Sequence, residues 1–149
     1  TGKAPLSEGF AVFREFLQIK PDLHVAGQVR NGTTKGIDEN ALAAYNAPFP
    51  DDDHKQGVRQ FPNLVPGTPR TPSAEPNKEA WKILREWKKP FLCAFSDKDP
   101  IFSGVENSFY KLIPGCKDMP HVTIQNAGHF LQEDQPNACV EAILSIKDI

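Results

Sequence analysis

The chain has 149 residues, a formal net charge of -2 and a sequence pI near 6.1, and 39% of its residues are hydrophobic. This balance is typical of one soluble globular unit, and no basic stripe indicates a nucleic-acid or membrane-surface partner. No apolar run approaches the roughly 20 residues that span a bilayer, and no positively charged start leads into a short apolar core as in a secretory signal.

The start of the chain and its cysteines refine this expectation. The sequence begins at Thr1 and its single methionine is Met119, so we expect a cytoplasmic protein whose own N-terminus, with any targeting segment, lies further upstream. Cys93, Cys116 and Cys139 follow one another at intervals of 23 residues, with no C-x-x-C pair. That spacing suits neither a disulfide framework nor a zinc site, so we expect reduced, mostly structural thiols.

The first part of the chain predicts short helices joined by loops. In SEGFAVFREFLQIK the apolar residues share one helical face, and Ser7 is a suitable N-cap. A second short helix is predicted over residues 38 to 45, and a third in HKQGVRQF, where the preceding acidic residues suit the helix dipole. The region from residue 1 to 61 is therefore predicted to be helical.

A proline-rich stretch separates this region from the rest. Residues 62 to 76, PNLVPGTPRTPSAEP, contain five prolines and predict an extended crossing segment.

Beyond it, helical and strand patterns alternate from residue 77 to 149. NKEAWKILREWKK, GVENSFYKLI and QPNACVEAILSIKD predict helices, while PFLCAF and HVTIQNA predict strands between them. This order is typical of an α/β fold with neighbouring parallel strands and crossover helices.

Polar side chains follow both predicted strands. SDKDPIF comes after the first strand and offers Asp97 and Asp99; GHF comes after the second and offers His129. Because active groups of open parallel sheets collect outside the carboxyl ends of the strands, a carboxylate and an imidazole would meet there as an acid and base pair. From the residues alone, a solvated turn and an ordinary loop histidine are the commoner explanation of such a pattern.

Four sequence stretches carry a family resemblance. GHFLQED after a strand, together with FSDKDPIF, resembles the last catalytic loops of the α/β-hydrolase fold. Residues 44 to 66, AYNAPFPDDDHKQGVRQFPNLVP, resemble the cap-domain segment of haloalkane dehalogenases, in which an Ala-Tyr-x-Ala-Pro-Phe-Pro run recurs. AWKILREWKKPFLCAFSDKDP is similar to the same family. The resemblance covers nearly the whole chain and implies a C-terminal portion: a helical cap segment at 1–61, the crossing segment at 62–76, and the last part of the α/β-hydrolase core at 77–149.

The resemblance also implies residue roles. His129 resembles the general base that activates water, and Asp99 resembles the acid that orients this base. We choose Asp99 over Asp97 because it is the last residue of the turn from Ser96, where the family pattern Gly-x-x-Asp has its acid; Ser96 departs from that glycine. The apolar lining of a substrate pocket is carried over to Phe61, Pro62, Val65, Ile101, Phe102 and Phe130.

The implied reaction hydrolyses carbon-halogen bonds. An aspartate nucleophile displaces halide and forms an alkyl ester, which water activated by the histidine then hydrolyses, without metal or cofactor. The partners are a small apolar halogenated substrate and water, with halide as a product. The nucleophile elbow and its following tryptophan are absent from this sequence. We therefore expect the chain alone to be inactive and prone to aggregate.

Two alternatives remain open at this point. An epoxide hydrolase or esterase relative of the same fold is disfavoured because Tyr45 is the one tyrosine in the cap segment, and epoxide opening needs acidic donors there. A truncated product without catalysis, persisting as a folded remnant or binding module, is the other. An upstream sequence with or without an aspartate elbow followed by tryptophan would decide among the three.

Overall fold

The computed structural model of the chain describes residues 8 to 148. Ser7, the predicted N-cap of the first helix, lies outside this range. The described residues form two compact units rather than the single unit expected from composition. The first unit consists of the residues up to Gln28 and of Glu39–Ile83. The second unit consists of Val29–Asp38 and of the residues from Leu84 onward. None of the helices between residues 8 and 148 has the length and apolarity to cross a membrane. The domain boundaries given above refer to a whole enzyme and stay a prediction.

The first unit is built from helices. They are α1 (Glu8–Ile19), α2 (Val25–Asn31, which continues into the second unit), α3 (Glu39–Asn46), α4 (Gln56–Gln60) and α5 (Ala74–Leu84). Short 3-10 turns at Asp53–Lys55 and Phe61–Leu64 flank α4. The three helices predicted before residue 61 are confirmed, whereas α2 was not predicted.

Arg59 fixes the end of α1. Its guanidinium donates to the carbonyl oxygens of Leu17, Lys20 and Pro21 at 2.6, 2.9 and 3.2 Å, and to the carboxylate of Asp52 at 3.2 Å. The last carbonyls of a helix have no partner within the helix, so this side chain supplies the missing donors. Leu17 is buried beside them, at 2% exposure.

The prediction of an extended segment from residue 62 to 76 is wrong at both ends. The 3-10 turn continues to Leu64, with Pro62 in its first positions, and α5 already begins at Ala74. Between them Thr71 closes a turn with Thr68: its N–H donates to the Thr68 carbonyl at 3.1 Å and its hydroxyl accepts the Thr68 N–H at 3.2 Å. Proline at the first turn of a helix costs no hydrogen bond, which is why these prolines do not exclude helix.

The second unit contains a parallel two-stranded sheet. β1 (Ala94–Ser96) pairs with β2 (Val122–Ile124) in the register Ala94 with Val122 and Ser96 with Ile124, and α6 (Glu106–Leu112) lies between them in the chain. α7 (Leu131–Asp134) and α8 (Pro136–Leu144) follow, with a 3-10 turn at Ser145–Asp148. The predicted parallel pairing is confirmed, although both strands are shorter than their sequence patterns.

One side of β1 is incompletely covered. The residues of β1 are only half-buried, although the continuous apolar run PFLCAF is typical of a parallel strand covered on both faces. A cavity of about 330 Å³ lies beside the strand, with Leu92, Ala94, Cys139 and Ile143 in its lining. The small core of Ile124, Ala127 and Ala142 packs close by.

The cysteines are free thiols, as predicted. Cys93 and Cys116 are buried, and burial raises the pKa of the Cys93 thiol to about 12. His121 holds their backbones together: its Nδ1 accepts the Cys93 N–H at 3.1 Å, and its Nε2 lies 3.0 Å from the Cys116 carbonyl oxygen. This histidine is therefore a half-buried structural residue.

Candidate functional site

The parallel pairing brings the two predicted catalytic loops to the same edge of the sheet. β1 ends at Ser96, three residues before Asp99, and β2 ends at Ile124, five residues before His129. Nδ1 of His129 lies 3.1 Å from Oδ2 of Asp99. The predicted juxtaposition of these two side chains is confirmed, whereas their catalytic roles are a matter for proposal.

The carboxylate of Asp99 faces the imidazole, whereas that of Asp97 accepts a backbone N–H from the loop before His129. Asp99 is 7% exposed, and its Oδ1 accepts the N–H of Ile101 at 2.7 Å, which leaves Oδ2 facing the imidazole. Asp97 is exposed, and its Oδ1 accepts the N–H of Ala127 at 3.0 Å. Hydrogen bonds from the N–H groups of Asn126 and Ala127 hold the pKa of Asp97 below its ordinary value. Asp97 therefore braces the loop that leads to the histidine.

The hydrogen bond to Asp99 determines which nitrogen of His129 can act as a base. When Nδ1–H donates to a carboxylate, Nε2 carries the lone pair that accepts a proton. The side chain of His129 is 28% exposed, and the rings of Phe102 and Phe130 lie with centroids 5.4 and 5.1 Å from its own. The imidazole is thus fixed by one carboxylate and bordered by two apolar rings.

A second buried carboxylate, Asp134, supports the same loop. It is 3% exposed, and its oxygens accept the N–H groups of Gly128, Thr34 and Lys35 at 2.8 to 3.2 Å. Burial alone would raise the pKa of Asp134, but these donors outweigh burial and hold the pKa below its ordinary value. Sequence reasoning missed this residue, because Thr34 and Lys35 lie about 100 positions away and no local pattern indicates that they contact it.

The residues predicted to line a substrate pocket fall in both units. Phe61, at 74% exposure, Val65, at 39%, and the half-buried Pro62 belong to the first unit. In the second unit Ile101 and Phe102 are 39% and 48% exposed, and Phe130 is half-buried. Their shared role as a pocket lining stays a prediction.

Metal ligands were not predicted for this site. Between residues 8 and 148, no group of three or more histidine, cysteine, aspartate or glutamate side chains could hold a metal ion.

Comparison with known proteins identifies relatives over nearly the whole chain. No protein-family model matches. A haloalkane dehalogenase from Psychrobacter cryohalolentis is 49% identical over 135 residues, which are 91% of this chain and 45% of that protein. The chain is a homologue of the haloalkane dehalogenases. One from Mycobacterium marinum is 38% identical over 144 residues, 97% of this chain and 48% of the relative.

Solved structures of haloalkane dehalogenases have the same fold. A tetrameric haloalkane dehalogenase from Paraglaciecola agarilytica matches with a TM-score of 0.78 and 25% identity, over 97% of this chain and 46% of the other. One from Agrobacterium tumefaciens matches with a TM-score of 0.72 and 16% identity, over 97% and 53%. The fold of the chain is therefore part of the α/β-hydrolase fold, and the chain spans about half the length of the haloalkane dehalogenases it matches.

Proposed function

We propose that this chain is the C-terminal portion of a haloalkane dehalogenase and supplies the base and the orienting acid for hydrolysis of carbon-halogen bonds. The contact of 3.1 Å between Nδ1 of His129 and Oδ2 of Asp99 carries this proposal. The high identity to haloalkane dehalogenases supports the choice of reaction.

In the proposed reaction these two residues act after halide has left. An aspartate attacks the carbon that carries the halogen, the carbon-halogen bond breaks, and the substrate stays on the enzyme as an alkyl ester. His129 then accepts a proton from water at Nε2 while the water oxygen attacks the ester carbonyl. Asp99 stabilises the imidazolium, and the ester breaks down to alcohol and the free aspartate.

The attacking aspartate must come from outside the sequence described here. The 149-residue sequence contains no aspartate followed by tryptophan, and the matched relatives are about twice as long as the matched region. The half-buried β1 and its adjacent cavity support this view, because a further strand packed against β1 would cover both. We therefore propose that activity requires the remaining part of such an enzyme.

The substrate is proposed to be small, apolar and halogenated. Phe102 and Phe130 border the imidazole and would exclude bulk water from the ester, and Ile101, which precedes Phe102 in the chain, is proposed to join them. Phe61, Pro62 and Val65 are proposed to complete the lining from the cap segment. The reaction needs no metal or cofactor, and the three free thiols suit the reducing cytoplasm.

The alternatives considered from the sequence are not favoured. The relatives and solved structures described above are haloalkane dehalogenases, and none of them is named as an epoxide hydrolase or an esterase. A folded remnant without catalysis remains an outcome that the following experiment would reveal.

The test joins this chain to the part of the Psychrobacter cryohalolentis relative that it does not match, placed ahead of it. Bromide release from 1-bromobutane is measured with the 149-residue chain, with this chimera, and with the chimera carrying His129→Ala. His54→Ala is the matched control, because His54 also pairs with an aspartate, Asp51, at 2.6 Å but on the exposed surface of the first unit.

We expect no turnover from the chain alone and steady turnover from the chimera. The His129→Ala chimera should release one burst of bromide and then stall as an alkyl ester, which intact-protein mass spectrometry detects as added mass. The His54→Ala chimera should turn over normally. Turnover by the chain alone, or steady turnover by the His129→Ala chimera, would refute the proposed roles.

A further inference from the structure

The loop that presents His129 is tied to a distant part of the chain. Residues 29 to 38, here called the strap, belong to the second unit although their neighbours in sequence on both sides belong to the first. The strap is joined to residues 126 to 134 by a set of hydrogen bonds that centre on one carboxylate, that of Asp134.

Asp134 connects three backbone donors from two segments. Its Oδ2 accepts the N–H of Gly128 at 2.8 Å, and both oxygens accept the N–H of Thr34, at 2.9 and 3.0 Å. Its Oδ1 also accepts the N–H of Lys35 at 3.2 Å. Gly128 immediately precedes His129, so the carboxylate holds the backbone of the base directly. A charged acceptor with several N–H donors makes stronger hydrogen bonds than a neutral one.

Further contacts hold the strap against the same loop. The hydroxyl of Thr34 donates to the Asn126 carbonyl at 3.0 Å, and the N–H of Phe130 donates to the Gly32 carbonyl at 3.2 Å. Gly128 approaches the strap so closely that a Cβ on it would lie 2.5 Å from the Gly32 carbonyl oxygen. The residues on both sides of His129 are therefore fixed to the strap.

We infer that Asp134 is a positioning residue for the general base, acting through Gly128 and the strap to set where His129 stands. This inference rests on the proposed function. In that reaction His129 takes part in ester hydrolysis and not in halide displacement. Loss of Asp134 should therefore slow the second step and leave the first step nearly unchanged, a pattern that a general loss of structure would not give.

The experiment separates the two steps in the chimera described above. Rapid mixing with 1-bromobutane gives the rate of the bromide burst, and quenched samples analysed by mass spectrometry give the decay of the alkyl ester. For Asp134→Asn we expect ester hydrolysis to fall about 10- to 100-fold, because a small misplacement of a catalytic group has effects of that size. The burst rate should change less than about twofold.

Two further variants complete the test. Gly128→Ala should give the same selective loss, since its Cβ displaces the loop from the strap at the other end of the same contact. Asp51→Asn is the matched control: Asp51 also accepts a backbone N–H, that of His54 at 3.2 Å, but is exposed in the first unit. It should leave both steps unchanged.

The outcomes distinguish the inference from the function on which it rests. If the unmodified chimera neither bursts nor turns over, the proposed function fails and the inference falls with it. If the chimera works but Asp134→Asn and Gly128→Ala leave ester hydrolysis unchanged, slow both steps equally or unfold the protein, only the positioning role is overturned. A selective loss of hydrolysis in either folded variant supports that role.

Discussion

Replacing Asp99 by asparagine tests the central pair of the site with little change of shape. The substitution keeps a side-chain oxygen that can accept the Ile101 N–H but removes the negative charge 3.1 Å from Nδ1 of His129. It also offers an amide NH₂ group, which favours the imidazole tautomer with its proton on Nε2. That tautomer cannot accept a proton from water at Nε2.

The size of the effect follows from the distance. Two unit charges separated by 3.1 Å attract by about 5 kcal/mol at an effective dielectric constant of about 20. Because the His129 side chain is 28% exposed, water screens part of this attraction, and about 3 to 5 kcal/mol of imidazolium stabilisation should be lost. At about 1.4 kcal/mol for each factor of ten, ester hydrolysis should slow roughly 10²- to 10⁴-fold.

The assay follows the alkyl ester by quenched-flow mass spectrometry in the chimera with Asp99→Asn. The ester should form at the normal rate and then persist. Asp97→Asn is the comparison: its amide oxygen can still accept the Ala127 N–H, so hydrolysis should fall less than about tenfold. If Asp97→Asn stalled the ester and Asp99→Asn did not, the assignment of the acid would be wrong. Equal loss of both steps in the Asp99→Asn chimera would also contradict it.

Two further predictions concern the chimera as a folded protein. Because the pKa of Cys93 is raised from 9.0 to about 12, its thiolate fraction at pH 8 should be about a thousandfold lower than that of an ordinary cysteine. Iodoacetamide followed by peptide mass spectrometry should therefore modify Cys93 far more slowly in the folded chimera than after unfolding in urea, and equally fast labelling in both states would contradict the described packing. Folding lowers the pKa of Asp134. Its carboxylate therefore stabilises the folded protein at pH values above the pKa of Asp134 in the unfolded chain, and this stabilisation is lost as the pH falls through the pKa of Asp134 in the folded protein. Asp134→Asn should therefore lower the free energy of unfolding in urea by about 1 to 3 kcal/mol at neutral pH, with a smaller difference below about pH 4; a difference independent of pH would exclude the charge as its cause.

Local patterns in the sequence were sufficient to identify most helices and both strands. An apolar face predicted α1, a second short helix was predicted at α3, and the alternation of strands and helices predicted the parallel pairing of β1 with β2. These features depend on side-chain periodicity and on neighbours within a few residues, which the sequence displays directly. The short helix α2 lacked such a pattern, and the prolines after residue 61 were given too much weight against helix.

The sequence also determined which residues could form a site. Asp99 and His129 follow two strands, and parallel strands bring their carboxyl ends to one edge, so their meeting at 3.1 Å could be predicted. The structure was needed to show that Asp97 accepts the Ala127 N–H whereas Asp99 faces the histidine. The sequence cannot distinguish the two aspartates in this way, because both lie in the same short loop and differ only in the direction that they face.

The tertiary structure alone decided how the base is supported. Asp134 collects N–H donors from Gly128 and from Thr34 and Lys35, about 100 residues away in the chain. A glycine, two strap residues and an acid at that separation form no local motif, because only folding brings the exposed Thr34 and Lys35 to the buried carboxylate. Hydrogen-bond partners of a buried carboxylate are set by the path of the whole chain, whereas helices and strands are set by short stretches of it.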